Sequence, residues 1–429
     1  MTNTTKWSLE FLESMRQVTD PLADKVVATI IESGYEEKIN EAFYSLVRNS
    51  GFSPADFAFL PQEVRDAVVS YFENSAALPE WADQDLMKIG EDVFSLHGPE
   101  IALILNVKSL PLCYACSKGA QVLYMTGRLT ERTGSIDQLA RRLMETSQMI
   151  INALAPNGMA PGGNGIITIQ KVRLIHASIR YFLQHPKFNP QGWDVQHYGL
   201  PINQEDMAGT LMSFAPLVLD GLDQLNIKLT PSQKQGYMHA WKVIGYLMGV
   251  NEKFLVDTFE EGWDLGVTIM RHQAAESEHG KALTSACIDF LTSILPGNIF
   301  DSVPEYMIWY FVQDISKAID LDLGKALGVE NGHHIKNDIV FKICELFFVE
   351  VSKADSHSKV IAELTKLINR KLLNGFLHHF NDGKNVRFFI PPSLQDDWKL
   401  RDTWNDEYVL SPTILGRRLV IQQKKDSLT

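Results

Sequence analysis

Apolar residues recur along this chain at helical spacing, while few segments alternate with period two. No Asn-Gly or Asp-Gly turn lies between two β-branched runs, so hairpins are not expected. Residues 6–75 read as several short amphipathic helices, such as Leu22–Ser33 and Lys38–Val47, broken at Gly51, Pro54 and Pro61. The stretch Pro79-Glu80-Trp81-Ala82-Asp83 marks a junction. From about 85 to 300 the predicted helices lengthen and grow more apolar: Ile101–Val107, Leu112–Met125, Ile136–Leu154, Ile166–Leu183, Glu205–Leu222, Pro231–Met248 and Leu283–Leu295. Beyond 300 the pattern is helical again, with a break at Pro391-Pro392 and a short basic tail at Arg417, Arg418, Lys424 and Lys425. The pattern predicts an all-α protein with an N-terminal helical cap (1–88), a core (89–298) and a C-terminal helical extension (299–429).

Composition narrows the classes. The 429 residues are 45% hydrophobic and 21% charged, with 28 Gly and 18 Pro, which leaves room for a dry core and excludes disordered and collagen-like chains. Forty basic against 52 acidic residues give a formal charge of −12, so a phosphate backbone would be repelled and nucleic acid is not an expected partner. Four cysteines (Cys113, Cys116, Cys287, Cys344) are too sparse for a secreted disulfide framework. The amino terminus lacks the basic start and apolar block of a signal peptide, and no apolar run reaches the roughly 18 residues of a transmembrane segment. A cytoplasmic protein is expected.

Candidate chemistry gathers around one interruption. Pro156-Asn157-Gly158-Met159-Ala160-Pro161-Gly162-Gly163-Asn164-Gly165 crowds six Gly or Pro residues between two long helices, as a flexible connector or as backbone passing close to something bulky. In the helix that follows, Val172, Ile175, Ile179, Phe182 and Leu183 form an apolar stripe at about 100° per residue, with His176 at its edge. Arg173 and Arg180 flank His176 at i−3 and i+4. An imidazole between an apolar wall and two guanidinium groups suits an iron porphyrin: a ring nitrogen ligates iron, the wall covers the macrocycle and an arginine pairs with a propionate. The same pattern also fits a core histidine with ordinary surface arginines.

The preceding helix opens on a capping box, Ser135-Ile-Asp-Gln138, and buries Leu139, Leu143, Ile150 and Leu154. Arg142 and Thr146 are i, i+4 neighbours beside that stripe, with Glu145 at its border. Together they present a polar trio at the edge of the core, or an internally paired Arg142 and Glu145.

Other signals compete. Glu276-x-x-His279, with His272 a turn away, echoes half of a di-iron carboxylate site, and the other candidate half, Glu330-Asn-Gly-His333, contains Asn-Gly and reads as a turn. Cys113-Tyr-Ala-Cys116 has redox spacing but reads as buried helix packing. His239 with Trp241 lies on a helix that lines the pocket from another side or simply holds a satisfied core histidine. The adjacent pairs His333-His334 and His378-His379 point about 100° apart on a helix and receive no role.

Arg142-x-x-x-Thr146, the glycine loop and Val172-Arg173-x-x-His176-Ala, taken in order, resemble the catalytic domain shared by rubber oxygenase (latex-clearing protein) and the MpaB-type oxygenases. His97-Gly-Pro-Glu100, Thr126-Gly-Arg-Leu129 and His239-Ala-Trp241-x-x-x-Gly245-x-x-x-Gly249 extend the resemblance, which covers roughly 90–295. It implies a globin-like multi-helix bundle enclosing one haem b. His176 would be the proximal iron ligand, Arg173, Arg180 and His239 would attend the cofactor, and Arg142, Glu145 and Thr146 would form the distal, catalytic set. The implied function is an oxygenase using O2 on an apolar, unsaturated or isoprenoid-like small molecule, with the need for a redox partner left open. Glu145 stands where rubber-cleaving members carry a lysine, and Thr126 near where their glutamate base would fall. These departures keep a non-catalytic haem carrier or sensor in view, and the Glu276-x-x-His279 signal keeps a di-iron carboxylate oxidase as a second alternative.

Overall fold

The computed structural model describes residues 6–33, 55, 58–129, 136–161, 163–295, 300–329, 357–381, 408–411 and 420–423, with backbone alone at 127–129, 136–142, 144–145, 357, 374–381 and the last two segments. Its body is all-α. Among the described residues the helices are α1 (Leu9–Met15), α2 (Pro21–Glu32), α3 (Gln62–Asn74), α4 (Gln84–Ile104), α5 (Leu110–Ala115), α6 (Ser117–Leu129), α7 (Ile136–Leu154), α8 (Asn164–Gln184) and α9 (Val195–Tyr198). They continue as α10 (Gln204–Phe214), α11 (Pro216–Gln224), α12 (Pro231–Leu247), α13 (Phe259–Gln273), α14 (Glu278–Ile294), α15 (Val303–Phe311), α16 (Gln313–Ile319), α17 (Leu323–Leu327) and α18 (His357–Asn381). One antiparallel hairpin, β1 (Tyr408–Ser411) with β2 (Val420–Gln423), adds a feature the periodicity did not predict.

Several predicted helices are cut where the chain gives a local reason. Glu205–Leu222 divides into α10 and α11 at Ala215, because Pro216 has no N–H to continue the ladder and opens the next helix as its first residue. Leu112–Met125 breaks at Cys116, whose backbone forms an isolated bridge with Ala274. The helix expected from Ile101 begins at Gln84 instead. Asp83 caps it by accepting from the N–H groups of Asp85 and Leu86, and it bends at His97 (φ −121°, ψ 18°), two residues before Pro99. It runs into a π-helical turn, Leu105–Ser109, before α5.

The tightest crossing joins α4 to α12. A Cβ on Gly90 would lie 2.7 Å from both the Ala240 Cβ and the Gly236 carbonyl oxygen, and one on Gly236 would lie 2.6 Å from Ile89 Cβ. Only glycine lets these backbones meet. The main core draws on Trp7 and Leu12, on Ile104 and Leu154, on Trp241 and Phe290, and on Val360 and Leu372, so all three expected segments contribute to it. A second apolar cluster seats α2 and α3 on α8 through Val27, Ile30, Val68, Tyr71, Leu174 and Ala177. Among the described residues, no helix is long and apolar enough to cross a membrane.

Candidate functional site

The site is built on α7 and α8, which pack side by side through the loop between them. That loop is held in place by its own backbone. Gly158 donates to the Ala155 carbonyl, Gly163 to Ala160 and Gly165 to Gly158, each at 2.8 Å. A Cβ on Gly158 would meet the Asn152 carbonyl oxygen at 2.2 Å, and one on Gly163 the Gly158 oxygen at 2.3 Å, so the glycines let the chain fold onto the end of α7. Asn157, with φ +62°, donates its N–H to Glu91 at 3.0 Å and ties the loop to α4.

Asn152 Nδ2 donates to Thr168 Oγ1 at 3.0 Å and fixes which turns of the two helices face each other. At 1.5 Å per residue, about 12 Å further along this antiparallel pair lie position 144 of α7 and His176 of α8. Positions 142, 145 and 146 bracket that level. On ideal helical rise, the two sequence-predicted groups fall at a similar distance along the two helices from that bond. Arg142 and Glu145 have no described side chain, and Thr146 is half-buried.

His176 is half-buried as a residue. Its Nδ1 is fully buried and, among the described residues, has no hydrogen-bond partner. Burial, with the Arg180 charge beside it and partly offset by Asp20, lowers its pKa to about 4, so the imidazole is neutral at physiological pH. A neutral, pre-positioned imidazole is the form that ligates a metal. The apolar stripe and this ring fit a histidine that could hold a haem iron: among the described residues its buried Nδ1 is left without a partner.

The two arginines bracketing His176 are held by the N-terminal segment. Arg173 Nε and Nη2 donate to Asp20 at 2.5 and 2.7 Å, and Nη1 to the Leu247 carbonyl at 3.2 Å. Arg180 Nε donates to Asp24 at 2.6 Å and Nη1 to the Ile202 carbonyl at 3.3 Å, while its buried Nη2 has no partner among the described residues. Asp20 and Asp24, one turn apart at the start of α2, are the residues that reading the sequence missed. Two acids at i, i+4 opening an amphipathic helix are visible, but nothing in them names partners some 150 residues away.

Other candidates are placed elsewhere. His239 Nε2 accepts from the Asp83 backbone N–H at 2.9 Å, and its ring sits edge-on to Trp81 at 5.9 Å. That nitrogen's lone pair is engaged at the start of α4. Thr126 turns its hydroxyl back to the Val122 carbonyl at 2.8 Å.

The described half of the di-iron alternative does not assemble as a site. Glu276 lies in the break between α13 and α14, not on a helix with His279, and pairs with Lys281 at 2.6 Å. His279 Nε2 meets the Ser117 carbonyl at 2.6 Å, and His272 sits between Glu205 (2.6 Å) and Glu13 (3.1 Å). Glu330 and His333 lie outside the described residues. Among the described residues no group of three or more His, Cys, Asp or Glu converges on a metal position. Cys113 and Cys116 are unbonded to each other, contact Ser213 and Met270, and burial raises both thiols.

Comparison with known proteins agrees with this architecture. The profile of the family described as "ER-bound oxygenase mpaB/B'/Rubber oxygenase, catalytic domain" matches residues 101–318, and the chain belongs to that family. It is 22% identical over 281 residues to the rubber oxygenase of Streptomyces sp. (strain K30), a match that spans 65% of this chain and 65% of that protein. The solved structure of latex clearing protein LCP in the closed state shares the fold, with a TM-score of 0.64 at 19% identity over 88% of this chain and 95% of that one.

Proposed function

We propose that this protein is a haem b-dependent oxygenase acting with O2 on an apolar, unsaturated or isoprenoid-like substrate. The observation that supports the reading is His176: a neutral, buried imidazole whose Nδ1 has no partner among the described residues, in a chain of an oxygenase family.

When bound, haem b would supply the one-electron chemistry with dioxygen that amino-acid side chains lack. His176 would hold the iron through Nε2, because the buried Nδ1 must then keep its proton and fix the tautomer. Arg142, permanently charged, would favour negative charge developing on dioxygen, and the Thr146 hydroxyl would donate to the same region. Glu145, in the place of the family's lysine, would accept a proton or pair with Arg142. The apolar stripe of α8, with Ile175 and Ile179, would exclude water and favour a hydrocarbon substrate.

The test is an ultraviolet–visible spectrum of protein produced with hemin, before and after dithionite and carbon monoxide. The reading expects a Soret band that H176A loses or shifts. It also expects oxygen uptake and carbonyl products with unsaturated isoprenoid compounds. A colourless wild type overturns the haem reading, and a haem-loaded wild type without turnover replaces the oxygenase by a carrier.

A further inference from the structure

We propose that His272 is a proton-operated clasp for the N-terminal helix: as an imidazolium it bridges Glu13 of α1 to Glu205 of α10, and on losing one proton it lets go of Glu13 and loosens α1 from the body. The cluster lies outside the haem reading, and the inference does not depend on that reading.

Geometry sets the charge the clasp needs. Both ring nitrogens of His272 face carboxylates, Nδ1 at 2.6 Å from Glu205 Oε1 and Nε2 at 3.1 Å from Glu13 Oε2. An ionised carboxylate only accepts, whereas a neutral imidazole has one N–H and one lone pair. A neutral ring thus turns its lone pair on one of the two acids, and only the doubly protonated ring donates to both. Burial alone would raise Glu13, but Lys118 at 3.1 Å, His272 and Arg16 hold it below its ordinary value, so it is an ionised acceptor. Around the ring, Arg16 at the end of α1 and Lys118 of α6 face three carboxylates, Glu13, Glu205 and Asp206, and an imidazolium supplies the balancing charge. The other helices on α13 direct their charges elsewhere: Asp220 of α11 and Asp314 of α16 to Lys108, and Lys242 of α12 to Asp257. Next to His272 in the chain, Arg271 donates to the Ala318 carbonyl at 2.8 Å, and Cys116, against Met270 at 3.6 Å, is kept a neutral thiol by burial.

The two halves of the clasp are unequal. The Glu205 side chain is fully buried and that of Glu13 is 48% exposed. Water can solvate Glu13 when the ring releases it, but a buried carboxylate facing a lone pair has no substitute donor. The neutral ring therefore keeps Nδ1–H on Glu205 and gives up Glu13. Histidine changes charge in the neutral range, so the clasp is closed in mild acid and open in mild alkali. The chain beyond α1 is tied independently: the Arg16 carbonyl accepts from the Leu200 N–H and the Val18 carbonyl from the Gln204 N–H, each at 2.9 Å, and α2 is held by Asp20 and Asp24 on Arg173 and Arg180. Opening is thus confined to α1, whose buried Leu12 and Met15 cover the body, and α2 serves as an internal reference.

The experiment is hydrogen–deuterium exchange of the full chain at about pH 6 and about pH 8.5, with every peptide normalised to its intrinsic rate at that pH. In wild type the protection of α1 relative to α2 is expected to fall about three- to fivefold from the lower to the higher pH, the size of effect a half-exposed ion pair gives. H272Q, whose amide does not titrate, should show no such fall. E13Q should show none either, because its amide accepts from the charged ring and donates to the neutral one. Glu13 is at the surface, so E13Q keeps the test valid if H272Q folds poorly. H185Q, which alters an exposed histidine elsewhere, should retain the wild-type fall. Nitrogen-15 spectra of histidine-labelled protein should show the His272 ring doubly protonated at the lower pH and as the Nδ1–H tautomer at the higher. No fall in wild type, a fall of equal size in E13Q, or a His272 ring that is neutral at both pH values overturns the inference.

Discussion

Asn152 and Thr168 face each other across α7 and α8 with 3.0 Å between Nδ2 and Oγ1, sixteen positions apart in the chain and on opposite sides of the glycine loop. Thr168 in turn donates to the Asn164 carbonyl at 2.6 Å, so the pair sits in a short chain of bonds at the closed end of the hairpin. N152A removes the bond between the helices and is expected to cost about 1 kcal/mol in denaturant unfolding. An unchanged unfolding midpoint would show that helix packing alone sets the register.

Arg142 belongs to the functional proposal, and its prediction separates cofactor binding from chemistry. R142A should leave hemin uptake intact and lower kcat by about 10²- to 10³-fold, the usual effect of removing one group that stabilises developing charge. Equal losses of haem and activity would instead make Arg142 a cofactor-binding residue.

The parts of this architecture that follow from nearest-neighbour rules could be read from the chain. The periodic stripe that places His176 beside Ile175 and Ile179 is a property of one helix, and so are the positions of Arg142 and Thr146 on the helix before it. What was illegible depends on contacts between distant segments. The grip of Asp20 on Arg173 spans 153 positions, and the capture of His239 Nε2 by the Asp83 N–H spans 156. The glycine loop was visible as an anomaly, but its cause, close packing against the Asn152 and Ala153 carbonyls, is a tertiary fact. The π-helical turn at Leu105–Ser109 has no local signature either; its register follows from burying Lys108 between two carboxylates from other helices.

Gly249 carries the proximal arrangement one step further from the site. It sits at φ +82°, and a Cβ there would lie 2.6 Å from Arg173 Nε and 2.7 Å from its Cζ. Alanine would add left-handed backbone strain of about 1–2 kcal/mol and push the guanidinium away from Asp20. G249A should therefore be destabilised by about 2 kcal/mol and lose hemin faster than wild type. A variant destabilised to that extent but with unaltered hemin retention would separate the Arg173 position from the ligand.

Lys108 Nζ is fully buried between Asp220 and Asp314, the latter at 2.8 Å. Burial, with Asp314 beside it, raises Asp220 to about 6 against the pull of Lys108. Asp314, which burial alone would raise, is held below its ordinary value by the Lys108 charge and the Asp220 hydrogen bond. Between about pH 4 and pH 6 the folded state thus holds a proton on Asp220 that the unfolded chain has released, so this group's contribution to stability is full below that window and lost as pH rises through it. D220N should flatten the stability profile between pH 4 and 6 by on the order of 1 kcal/mol, measured by guanidinium unfolding at pH 4.5 and 6.5. The Asp314 contribution has the opposite sign, present above its ordinary range and lost in stronger acid, and D220N should leave that acid limb in place.

Glu205 is wholly buried, accepting from Arg16 Nη1 at 3.0 Å and from Gln273 Nε2, with His272 Nδ1 at 2.6 Å. Arg16 is itself fully buried and also reaches Asp206 at 2.9 Å and the Tyr198 carbonyl. The cluster joins α1 to α10 and α13, so it fastens the N-terminal segment that also presents Asp20. Removing one member leaves the others charged in a place water does not reach, which typically costs about 3–5 kcal/mol, whereas removing opposite partners together costs much less. E205L should therefore unfold at markedly lower denaturant than wild type, and R16M/E205L should recover part of the loss despite carrying two substitutions. Additive losses in the double variant would mean that packing volume, not charge compensation, holds this junction together.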